Sequence, residues 1–177
     1  MNRAELEAQL AELPIAQYAF FDTKDLEFSP RIRMVCEMEC PRYGKTWACP
    51  PAVGTVEACR ANCLAHPEGL VISTLTEVED ISDLEATLAT RADHEAITKQ
   101  VFDLLKAQGL EVMGLSTESC AICRECTYPN AACRHPQQMF PCVESQGIIV
   151  SALAEKLGMD YLYGGNVVTW FSLLLFK

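Results

Sequence analysis

The sequence predicts an α/β or α+β fold, a single domain over residues 1–177. It would have a sheet of about four to five strands flanked by helices, with cysteine-rich loops at one end. Three observations predict it. Segments with helical apolar spacing alternate with short runs rich in β-branched residues. Half of the 177 residues are apolar, enough to build one core without disulfide staples. The cysteines fall in two loop-like stretches broken by proline and glycine, about 36–63 and 120–142.

Residues 2–12 read as a helix with Leu6, Leu10 and Leu13 on one face, and residues 16–21 as a strand. Residues 22–30 are loop-like, and 31–35 are expected to be a short strand leading into the first cysteines. From 36 to 54 the chain reads as ordered loop. Thr55 is placed to cap a helix running to about residue 65, with Glu57 in its first turn. Residues 69–76 read as a strand. Ser82-Asp83-Leu84-Glu85 has the pattern of a capping box and opens a long helical segment, with a break near 90–93 and a stop at Gly109. A strand at 110–115 runs into the second cysteine block. A helix at 149–157 ends at Gly158, Gly164-Gly165 makes a turn, and the nearly unbroken apolar run 167–176 is expected to be a central strand.

Charge and cysteine chemistry narrow the function. A net charge of -10 with scattered basic residues excludes a nucleic-acid backbone as the main partner, because phosphate binding needs clustered cations. The N-terminus has no apolar leader-like segment, and the longest apolar run is far short of a membrane helix. The chain is therefore expected to be cytoplasmic, with no membrane partner. There, ten cysteines point to metal more than to disulfides. Five disulfides are the competing reading. The short two-residue spacings in Cys120-x2-Cys123-x2-Cys126 count against it, since such neighbours pair poorly with each other.

Cys120, Cys123, Cys126 and Cys133 form the strongest constellation. Three thiolates spaced by two residues wrap one face of a [4Fe–4S] cluster, and a later cysteine closes it. Structural zinc more often takes two separated cysteine pairs and is the less favoured occupant. Cys36-x3-Cys40-Pro41 and Cys49-Pro50-Pro51 read as three ligands of a second site. Cys59 or Cys63, one helical turn apart, supplies a fourth donor, or one iron stays open. The competing reading makes Cys59 and Cys63 buried small hydrophobes. Cys142 is read as core or spare. Eight residues separate Cys40 from Cys49, which rules out the cysteine spacing of radical S-adenosylmethionine enzymes. His135, Arg134 and Arg124 are placed to tune a cluster's charge. Tyr43, Lys45 and Trp47 are placed to line or shield a site, and His94 is expected to be solvated.

The combination Cys36…Cys40-Pro41-Arg42-Tyr43-Gly44…Cys49-Pro50-Pro51, then Cys120-x2-Cys123-x2-Cys126…Cys133-Arg134-x-Pro136, then Gly147-Ile148, resembles a bacterial and archaeal family of predicted metal-binding proteins of unknown function. Many of its members come from anaerobes. The resemblance extends from about Arg31 to the 168–172 segment. It implies metal, iron–sulfur in kind, at the 120–133 set and a role for Cys36, Cys40 and Cys49; Cys59, Cys63 and Cys142 fall outside its pattern.

The expected function is electron transfer or redox accessory work through one [4Fe–4S] cluster and a redox partner protein, with a second cluster conceivable. The alternatives are an iron–sulfur enzyme whose second cluster has an open iron, and a zinc-stabilised interaction module. Reaction, substrate and oligomeric state are not legible in the residues.

Overall fold

A computed structural model describes residues 1–177. Its sheet has four strands: β1 (Gln17–Asp22), β2 (Glu68–Glu77), β3 (Val112–Leu115) and β4 (Val167–Phe176), in the order β1-β2-β4-β3. Every pairing is antiparallel, which decides for α+β over α/β. The six α-helices are α1 (Arg3–Leu10), α2 (Pro30–Met38), α3 (Val56–Leu64), α4 (Leu84–Ala89), α5 (Arg91–Ala107) and α6 (Val150–Leu157). No helix is long and apolar enough to cross a membrane.

The apolar run of β4 reflects burial on both faces. Successive side chains of a strand point to opposite sides. Phe171, Leu173 and Leu175 join Val71, Leu153 and Ile148 in one core, while Leu174 and Phe176 join Leu70, Ile72, Leu6, Val101 and Leu105 in the other. α1 and α5 cover the second face and α6 contributes to the first. A strand sandwiched this way cannot alternate apolar with polar side chains.

Three local expectations are corrected. Residues 31–35 are not a strand; they lie within α2. Ser29 accepts a hydrogen bond from the Arg31 N–H as N-cap, and Pro30 occupies the first turn, where its missing N–H costs nothing. The Ser-Pro start signal is present in the sequence. The α4 cap is Asp83, which accepts from Ala86 N, because Ser82 is already bonded to Asp80. His94 is not solvated. It is buried on α5 between Thr74 of β2 and Ser172 of β4, whose hydroxyls lie 2.8 and 2.6 Å from its two ring nitrogens. The break expected near residue 90 is present between α4 and α5.

Edge strand β3 positions the second cysteine block. Beyond its end, Ser116 N–H donates to Pro141 O (2.9 Å) and Val143 N–H donates to Ser116 O (2.8 Å), so residue 142 pairs beside residue 116. Phe140 lies in the α5-side core and Val143 in the α6-side core. The chain between them therefore rounds the sheet edge.

Candidate metal centre

All ten cysteines are free thiols. The structure sorts eight of them into two cavities. Cys120, Cys123, Cys126 and Cys133 line one, a tight space of about 20 Å³ walled also by Trp47 and Arg134. Cys36, Cys40 and Cys49 line the other, which is about 370 Å³.

The first cavity is built from irregular backbone held by local bonds. The Ala131 N–H donates to Thr127 O (3.0 Å), the Thr127 hydroxyl donates to Ala132 O (2.9 Å), and Arg134 Nη1 donates to Glu125 O (3.0 Å). These bonds close the stretch between Cys126 and Cys133 into a turn that returns the fourth cysteine to the first three. Trp47, which lines the cavity, donates from Nε1 to Ala131 O (3.1 Å), and its ring meets Tyr128 edge-on at 4.9 Å. The His135 N–H donates to Cys133 Sγ at 3.4 Å. His135 and Arg134 line the cavity, whereas Arg124 does not. Burial is the main cause pushing the Cys120 thiol above its ordinary value. A thiolate there needs a compensating cation, which a metal supplies.

The second cavity begins on α2. Cys36 sits in its last turn and Cys40 just beyond its end, one turn further on. The Gly44 N–H donates to Pro50 O (2.8 Å), folding the loop back so that Cys49 faces the same space. Arg42 and Tyr43 line this wall; Lys45 does not. Burial first, then the neighbouring Cys40, raises the Cys36 thiol.

Cys142, read from the sequence as core or spare, lines this second cavity with Glu144. Its Sγ–H donates to Glu144 Oε2 at 2.7 Å, and burial together with that carboxylate holds the thiol well above its ordinary value. Its sequence context gives no hint, because it stands alone 93 residues after Cys49 and is brought in only by the sheet-edge pairing with Ser116.

Cys59 and Cys63 line neither cavity. They are fully buried on α3. Cys59 Sγ donates to Val53 O (3.3 Å) and accepts from Arg33 Nη2 (3.6 Å), while Cys63 belongs to the α6-side core, where burial pushes its thiol up to about 12. This pair sits as buried small hydrophobes, and neither thiol reaches the second site.

The two cavities are neighbours through two loop segments. Ala48 walls the first and Cys49 the second; Cys120 walls the first and Ser119 the second. No three His, Cys, Asp or Glu side chains close tightly enough to hold a single metal ion. No curated protein and no solved structure matches the chain. The family model described as "Predicted metal-binding protein (DUF2284)" matches residues 19–176, nearly the whole chain, and this protein belongs to that family.

Proposed function

We propose that the protein is an iron–sulfur protein whose Cys120, Cys123, Cys126 and Cys133 hold one [4Fe–4S] cluster and which serves as an electron-transfer or redox-accessory protein. The observation that carries this reading is the convergence of those four thiols on a single tight cavity. When bound, such a cluster supplies one-electron exchange.

The chain's own residues then set its properties. Trp47 in the cavity wall shields one side of the cluster from water, and the His135 N–H and the Arg134 guanidinium oppose the negative charge of the thiolates. The acidic surface, net -10, suits a redox partner with a basic docking face. Zinc is the less suited occupant, since structural zinc more often takes two separated cysteine pairs than a run such as Cys120-x2-Cys123-x2-Cys126.

The test is anaerobic purification followed by iron, sulfide and zinc analysis. A brown protein with broad absorption near about 400 nm and iron and sulfide in cluster stoichiometry supports the reading. Replacing Cys123 and Cys126 together by alanine is expected to remove about four iron per chain. A colourless, zinc-loaded protein overturns it in favour of an interaction module.

A further inference from the structure

We propose that Cys142 joins Cys36, Cys40 and Cys49 in a second four-thiolate site that holds a second iron–sulfur cluster beside the first. The proposal rests on the iron–sulfur reading of the chain and extends it to thiols that the motif spacing alone does not unite.

Four observations place Cys142 with the other three. It lines the same cavity. Its backbone N–H donates to Ala48 O (3.4 Å), the carbonyl immediately before Cys49. Its thiol bonds Glu144, which lines that cavity too. Among the ten cysteines, only Cys59 and Cys63 are left outside the two cavities, and both are engaged in core packing. The result is two sets of four thiols, which is the donor count each cubane requires.

The cavity has further features suited to such an occupant. At about 370 Å³ it is much larger than the first. Thr169 Oγ1 is buried in its wall with no hydrogen-bond partner, leaving a hydroxyl to donate to an inorganic sulfide. Arg42 in the wall offsets part of the cluster's charge. The Glu144 carboxylate accepts the Cys142 S–H at 2.7 Å and so holds that thiol at the cavity wall, and Cys142 would have to give up its proton to bind as the thiolate.

Adjacent residues wall different cavities on both loops, Ala48 and Cys49 on one and Ser119 and Cys120 on the other, so the two clusters would be neighbours whose unpaired spins interact when both are reduced.

The experiment uses full-length protein reconstituted anaerobically with iron and sulfide. Wild type is expected to hold about eight iron per chain and, on reduction, to give an electron paramagnetic resonance spectrum broadened by spin–spin interaction. The Cys123→Ala/Cys126→Ala variant is expected to keep about four iron and to show an unbroadened spectrum. Cys142→Ala is expected to lose up to four iron or to leave a three-iron signal in the oxidised state, while Cys59→Ala keeps the wild-type count. Far-UV circular dichroism checks that each variant folds, and the wild-type count and spectrum need no variant. A wild type with about four iron that Cys123→Ala/Cys126→Ala abolishes overturns this proposal and leaves the first cluster standing. A full count with an unchanged spectrum in Cys142→Ala also overturns it and assigns an open iron to the second cluster. A wild type without iron overturns both readings.

Discussion

Thr46 Oγ1 and Ser119 Oγ lie 3.1 Å apart, both buried, and this contact ties the loop that carries Cys49 to the loop that carries Cys120. The two cysteine blocks are more than fifty residues apart in sequence, and neither loop has regular structure of its own. A hydrogen bond between buried hydroxyls is one of the few devices that can register two such segments.

Breaking that clamp on one side is expected to be costly. Thr46→Val leaves the Ser119 hydroxyl buried without its partner, a penalty of about 1–3 kcal/mol. Urea unfolding of the single variants and of Thr46→Val/Ser119→Ala measures it. The double variant is expected to recover part of the loss, and simple additivity of the two single effects would show that the hydroxyls are not coupled.

Gly114 and Phe140 form a second anchor. A Cβ built on Gly114 would stand 2.6 Å from two Phe140 ring atoms, with Phe102 at 3.3 Å. The ring is buried against β3 and holds the segment that leads from Cys133 round the sheet edge to Cys142. Gly114→Ala is expected to cost about 1–3 kcal/mol through overpacking. Because the displaced segment carries cysteine of both cavities at its ends, metal content should fall as well. Wild-type unfolding midpoint and iron content in this variant would refute the anchor.

The buried His94 gives the fold an acid limit. Burial lowers its pKa from 6.5 to about 4, opposed in part by a backbone hydrogen bond at Phe171, with Arg91 adding a smaller lowering effect. The unfolded chain takes up this proton near pH 6.5 while the folded chain stays neutral until about pH 4. Stability is therefore full above the unfolded value and falls as pH drops through that window, by about 3 kcal/mol at most. Urea midpoints measured from pH 7.5 to 4.5 test it. His94→Gln, which cannot titrate, is expected to flatten the part of the slope that belongs to this group.

Cys63 offers a reactivity contrast. Fully buried, and with its pKa raised to about 12, its thiol is neutral and inaccessible at pH 8. In metal-free folded protein, iodoacetamide is expected to label the partly exposed Cys123, Cys126 and Cys133 while leaving Cys63 unmodified until denaturant is added. Peptide mass spectrometry reads this out, and early labelling of Cys63 would contradict its place in the core.

Much of the architecture is legible because it depends on local periodicity. The α3 cap at Thr55, the break at residue 90, the stop at Gly158 and the central position of 167–176 all follow from neighbours within a turn or two, or from a run of apolar side chains with no polar face. α2 reads as a strand although Ser29-Pro30 announces a helix, because the short apolar run Ile32–Met34–Val35 carries no period long enough to decide. His94 reads as solvated because a helix wheel records which residues are polar on average. It does not show that hydroxyls on β2 and β4 converge to satisfy an imidazole.

The same division holds for the thiols. Sequence alone determined that Cys120, Cys123, Cys126 and Cys133 belong together, since their spacing is short and a loop of that length has few ways to place them. Only the tertiary structure decided that Cys59 and Cys63 turn into the core and that Cys142 lies with Cys36, Cys40 and Cys49. The physical reason is that helix facing and a backbone pairing at the edge of β3, between residues 116 and 142, set those positions. Neither depends on the residues next to those cysteines in the chain.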